Sequence, residues 1–197
     1  MSDMNLMVQV APSFYDTTFE ENLKSRKIII NEEISSTLVE KAIMQIINWN
    51  EEDKDIPVEQ RKMITVYINT NGGSVPDGFC LANVIESSTT PISTVTLGMS
   101  ASMGAYLSMC ATKGLRFAYP FSTFLIHSGS MCVSGGTSEV ESTVKYYTDM
   151  KTDIANFIYK HTKISKALYK KMSNSEWYLS SKEALRHSII DKIIGVE

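Results

Sequence analysis

An α/β fold with a mostly parallel sheet is predicted for this 197-residue chain by three observations. Short β-branched runs recur as KIII at 27–30, ITVYIN at 64–69, ISTVTL at 92–97 and STFLIH at 122–127. Segments with apolar residues at helical spacing lie between them, and strand and helix in alternation imply parallel crossovers. A composition of 43% hydrophobic and 21% charged residues supplies one packed core, so the whole of 1–197 is expected to be a single domain.

The elements follow in chain order. Residues 1–22 mix apolar and acidic side chains without a period and read as an N-terminal arm. KIII gives the first strand. Thr37 and Glu40 form a capping-box pattern ahead of Leu38, Val39, Ala42, Ile43, Ile46 and Ile47, which share one helical face. After the polar loop NEEDKDIPVEQRK comes the strand ITVYIN, ended by TNGGS and followed by a helix carrying Phe79, Leu81, Ala82, Val84 and Ile85. ISTVTL is the next strand, and MGAYLSMCAT its helix. LRFAYP and STFLIH supply two more strands. From Thr137 to about Lys160, Val140, Val144, Tyr147, Ile154 and Ile158 recur at spacings of three, four and seven. This predicts a long amphipathic helix, part of whose stripe is expected to pack on another subunit. The tail SSKEALRHSIIDKIIG reads as a capped helix and a short strand.

Several function classes are excluded. A net charge of −3, with lysines and arginines scattered among acids, leaves no basic face for nucleic acid. Cys80, Cys110 and Cys132 are an odd number without CxxC or metal-like spacing, which fits a reducing cytoplasmic setting and predicts no metal site. The N-terminus lacks the pattern of a signal peptide, and 97–111 is too short and too rich in Ser and Gly to span a bilayer, so no membrane partner is expected.

Open α/β sheets carry their sites at the carboxyl ends of strands. Three reactive groups fall there: Asn71, Gly72 and Gly73 after ITVYIN, Ser100 and Ser102 after ISTVTL, and His127 after STFLI. A serine nucleophile needs a base, a group to orient the base, and backbone N–H donors for the oxyanion. All these ingredients are present. Each alone is weak, because a serine in a small-residue run is commonly structural and the pattern G-x-S-x-G is not met.

In combination the stretches YINTNGGSVPDGF, TLGMSASMGAYLSMCATKGLRFAYPFSTFLIH and EWYLSSKEALRHSIIDKI resemble the proteolytic subunit of the Clp protease family. The resemblance runs from about Lys24 to Gly195 and is densest from Val66 to His127. It implies a crotonase-like β/α spiral with a protruding long helix that inserts between rings of seven, two rings closing a chamber of fourteen. It also implies Ser102 as nucleophile, His127 as general base, and the N–H groups of Gly73 and Met103 as the oxyanion hole. The segment 128–136 would align a polypeptide substrate as an added strand. No cofactor is implied. Glu176 stands where the family has the aspartate of the triad, its extra methylene leaving Asp149 or Asp153 as alternatives. Ser175 replaces an arginine used between rings, and Asn71 replaces a proline.

The function this implies is peptide-bond hydrolysis through an acyl-enzyme inside a ring assembly. Such a chamber is either fed by a Clp-type ATPase or works alone, and a phage-type relative that processes capsid or scaffold protein is a variant of this reading. A non-catalytic ring subunit is the alternative, opposed by the retention of Ser102, His127 and both glycines. Acyl-CoA chemistry would explain the paired donors but not Ser and His together.

Overall fold

The computed structural model describes residues 14–129 and 132–196. Within them the order is α1 (Phe14–Lys24), β1 (Lys27–Ile30), α2 (Ser36–Glu52), β2 (Ile64–Thr70), α3 (Val75–Ser87), β3 (Ile92–Ala101), α4 (Met103–Met109), β4 (Arg116–Ala118), β5 (Thr123–Ile126), α5 (Thr137–His161), α6 (Lys166–Met172), β6 (Trp177–Ser180), α7 (Ser181–Arg186) and β7 (Lys192–Ile193). The sheet runs β1-β2-β3-β4-β7, every pair parallel.

β3 is long enough to serve two partners. Its first half pairs Thr94–Thr96 with β4, and its last three residues, Met99–Ala101, pair with β5. The sheet therefore branches at β3 and winds on through β5 to β6, which is antiparallel to β5. This is the α/β fold with a mostly parallel sheet that the strand runs predict.

The core fills the space between the sheet and α2, α3 and α4. β2 alternates buried and half-buried positions with a period of two, turning Ile64, Val66 and Ile68 inward. Leu81, Ile85, Met103, Leu107 and Met109 meet them from the helices. α4 is buried at all seven positions, which explains its Gly, Ala and Ser content: small residues let the helix backbone lie close to β2 and β3.

Several elements differ from the sequence reading. The cap of α2 is Ser35, whose hydroxyl accepts from the Leu38 N–H, rather than Thr37 with Glu40. Ser35 is the last extended residue before the helical turn, and Thr37 already lies inside it. α2 also takes in the start of the polar loop, because buried Trp49 extends its inward face by a turn beyond Ile46. A 3₁₀ turn at Val58–Gln60 occupies the rest. β3 continues four residues past Leu97, through Gly98 and Ser100 to Ala101. Of the expected arm, 1–13 lie outside the described residues, and from Phe14 the chain is helix.

Two ion pairs, one buried and one half-buried, pin the sheet's outer connections. Arg26 donates to Asp53 through its two terminal guanidinium nitrogens, at 2.5 and 2.8 Å, and Thr90 Oγ1 donates to the same carboxylate at 2.7 Å. Hydrogen bonds from Arg26 hold the Asp53 carboxyl below the usual carboxylate range. Since the folded value is the lower one, this pair adds stability above about pH 4 and loses it as the pH falls through the depressed folded value. Arg26→Met would strand a buried carboxylate. It is expected to cost about 3–5 kcal/mol by urea unfolding at neutral pH and distinctly less in acid. On the other side, Arg116 binds Asp191 and donates to the His161 carbonyl at 2.8 Å, tying the end of α5 to β4 and β7.

Candidate active site

The ends of three adjacent strands bring the reactive groups together. β3 and β5 run side by side with Ala101 opposite Leu125, and the Ser102 N–H donates to the Leu125 carbonyl at 2.9 Å. Ser102 and His127 thus emerge from neighbouring parallel strands, whose spacing is about 4.8 Å. β6 returns antiparallel with Trp177 opposite Ile126. Continuing that register by one residue sets Glu176 across from His127, and its carboxylate Oε1 lies 2.9 Å from His127 Nδ1. That bond leaves the second ring nitrogen, Nε2, for a nucleophile's proton.

Ser102 is held in an uncommon backbone conformation, φ 51° and ψ −123°, between β3 and α4. For a residue with a side chain this region costs on the order of 1–3 kcal/mol, which the surrounding register must supply. The result is a sharp strand-to-helix turn with the side chain at its apex. The Ser102 hydroxyl makes no capping bond to the helix that follows.

Ser100 has the opposite environment. It is fully buried, and its hydroxyl lies 2.7 Å from that of Ser108, which also contacts Thr96 Oγ1 and the Gly104 carbonyl. The two serines of the run therefore divide their work. Ser100 bonds β3 to α4 inside the core, and Ser102 stands at the turn.

The glycine pair lies against this turn. Gly72 has φ 102°, and a Cβ there would sit 2.7 Å from Ser102 Cβ, 2.8 Å from the Ala101 carbonyl and 3.2 Å from the Met103 nitrogen. Only a glycine permits that approach. Gly73 has φ 153°, and a Cβ would meet the Ile34 carbonyl at 2.3 Å. The loop is fixed from behind, because the Ile34 N–H donates to the Gly72 carbonyl and the Ser74 N–H to the Ile34 carbonyl, both at 2.9 Å. Among the described residues the N–H groups of Gly73 and Met103 have no hydrogen-bond partner. Met103 is the first residue of α4, where no intrahelical acceptor exists.

A register shift between Ile68 and Thr70 brings Thr70 opposite Ser100. Asn69 spans the gap, its amide oxygen accepting from the Met99 N–H at 2.9 Å. The cleft of about 420 Å³ beside it is lined by Asn31, Glu33, Asn69, Gly73 and Met99.

The carboxylate that meets His127 is that of Glu176 rather than Asp149 or Asp153. Asp149 is exposed on α5 and pairs with Lys145 at 2.6 Å, and Asp153 is exposed on the same helix. The strand that delivers Glu176 was not read from the sequence. Its signal is the alternation in WYLS, where Trp177 and Leu179 are buried and Tyr178 and Ser180 exposed. Cys110 is fully enclosed, and burial pushes its thiol well above the ordinary value, so it is packing rather than chemistry. Of the segment 128–136, expected to align substrate, positions 130 and 131 lie outside the described residues.

The Clp protease family model matches residues 12–197. Among relatives, the "ATP-dependent Clp protease proteolytic subunit 2" of Corynebacterium glutamicum is 28% identical over 194 residues, 98% of this chain and 94% of that protein. The "ATP-dependent Clp protease proteolytic subunit" of Deinococcus radiodurans is 28% identical over 172 residues, 87% of this chain and 81% of that protein. With a match over nearly its whole length, this chain belongs to the Clp protease family, and its activity is that of a Clp-type serine endopeptidase.

Proposed function

We propose that Ser102 is the nucleophile of this peptidase, His127 its general base and acid, and Glu176 the group that orients the imidazole. The Gly73 and Met103 N–H groups form the oxyanion hole. The observation that carries this reading is the His127–Glu176 bond of 2.9 Å on strands adjoining the strained Ser102 turn.

In this mechanism Ser102 Oγ attacks the scissile carbonyl carbon while its proton passes to His127 Nε2. Glu176 at Nδ1 selects the productive tautomer and supports the imidazolium. Negative charge gathers on the former carbonyl oxygen, which the two free N–H groups receive. Collapse breaks the C–N bond, and the departing amine takes the proton from Nε2. Water then attacks the acyl-Ser102 ester, with His127 accepting its proton and returning one to Ser102 Oγ. The chain leaves the carboxyl end of β5 at Ile126 and runs on through His127 to Gly129 without pairing in a strand, which supports docking of an extended substrate beside it.

The protein works as a ring assembly in the cytoplasm. α5 supports this, because from Thr137 to Phe157 it has no buried residue, while Val140, Val144 and Tyr147 form an apolar stripe along it. Such a stripe calls for a second copy. Rings of seven, paired into a chamber of fourteen, follow from the family resemblance. The ATP dependence in the relatives' names supports an ATPase as the partner that feeds it. The three free cysteines fit a reducing compartment.

Light scattering on size-exclusion fractions, assayed in parallel with a short fluorogenic peptide, tests the assembly. Activity is expected in a fraction many times the 22.0 kDa chain mass. A fully active monomer would overturn the ring reading.

A further inference from the structure

Glu176 presents a problem of control. Its side chain is 57% exposed, it carries one more rotatable bond than an aspartate, and only Oε1 meets His127. An exposed, flexible carboxylate loses orientation to solvent and to competing rotamers. A single bond to the imidazole does little to select one of them.

The second oxygen has a partner on the same strand. Tyr178 Oη donates to Glu176 Oε2 at 3.4 Å. The contact follows from the alternation of β6, since Trp177 and Leu179 point into the core and leave residues 176 and 178 on one face. Trp177 and Leu179 are buried and Tyr178 pairs in register with Leu125, so the phenol is carried on a fixed backbone. The carboxylate is thus bounded on both sides, by imidazole at one oxygen and phenol at the other.

We propose that Tyr178 is a positioning residue for the peptidase reaction, holding the Glu176 carboxylate in the rotamer that faces His127. This inference rests on the assignment of Glu176 as the group that orients His127. The Tyr178 phenol contacts the Glu176 carboxylate. Its effect passes through Glu176 to the imidazole. The phenol makes up for the freedom that the longer glutamate chain brings.

The test is a double-mutant cycle on the full-length assembled protein, with kcat and KM for a short fluorogenic peptide measured across pH for wild type, Tyr178→Phe, Glu176→Ala and the double variant. Phenylalanine keeps the ring and removes only the hydroxyl. Tyr178→Phe is expected to lower kcat about five- to tenfold with KM unchanged. In the Glu176→Ala background the same change should have no effect, as nothing remains to be held.

An equal loss from Tyr178→Phe in both backgrounds, or a change confined to KM, would overturn the proposal and assign Tyr178 to folding or substrate binding. A large loss in Glu176→Ala with none in Tyr178→Phe would overturn it while leaving the triad intact. No loss in Glu176→Ala would remove the triad assignment and the proposal with it.

Discussion

Ser102→Ala is expected to lower kcat for peptide cleavage about a millionfold, as loss of the nucleophile does in other triads, with the fold and assembly intact. The change removes a hydroxyl that makes no capping bond to α4 and sits at a turn where the backbone, not the side chain, bonds to Leu125. Thermal stability should therefore stay within about 1 kcal/mol of wild type. Ser100→Ala is the matched control. Its hydroxyl is buried in the Thr96–Ser108 group, where Ser108 keeps two further partners, so the cost is about 1 kcal/mol of stability and activity is retained. Equal losses of activity at both positions would show that the turn has been assigned wrongly.

Glu176→Ala is expected to reduce kcat by up to about ten-thousandfold, the scale set by triads whose imidazole loses its orienting carboxylate. Because the carboxylate is largely exposed, its charge is screened, and the greater part of the loss comes from orientation and tautomer. Glu176→Asp shortens the side chain by a methylene from a backbone fixed by the β5–β6 register. It keeps part of the activity if the loop relaxes toward His127. Steady-state kinetics with a short peptide checks both variants. Unchanged turnover in Glu176→Ala would show that His127 works without this partner and would return Asp149 and Asp153 to consideration.

Much of this architecture was legible in the chain because its signals are local. The runs KIII, ITVYIN and STFLI became strands, and the apolar spacing from Val140 to Ile158 became α5, since side-chain period is set by backbone geometry. The glycine pair was readable for the same reason: a turn that presses backbone against a neighbouring serine admits no Cβ. What escaped was decided at a distance. β6 is a four-residue strand whose pairing with β5 lies about fifty residues away in sequence, with α5 between them, and no local pattern shows that contact. The true cap of α2 lay two residues earlier than the Thr37 pattern because both sites carry plausible hydroxyls, and the tertiary start of the helix chose Ser35. The separate fates of Ser100 and Ser102 likewise depended on β3 running on through Ser100, burying it, and ending at Ala101 just before Ser102.

The measurement that bears most directly on the central claim is covalent labelling with a fluorophosphonate, read by mass spectrometry of the folded protein in sized fractions, for wild type and Ser102→Ala. The account predicts one adduct per chain, on Ser102, in the large assembly, and none in Ser102→Ala. An adduct on another serine, or no adduct in an assembled and folded wild-type fraction, would contradict the assignment of Ser102 as the nucleophile.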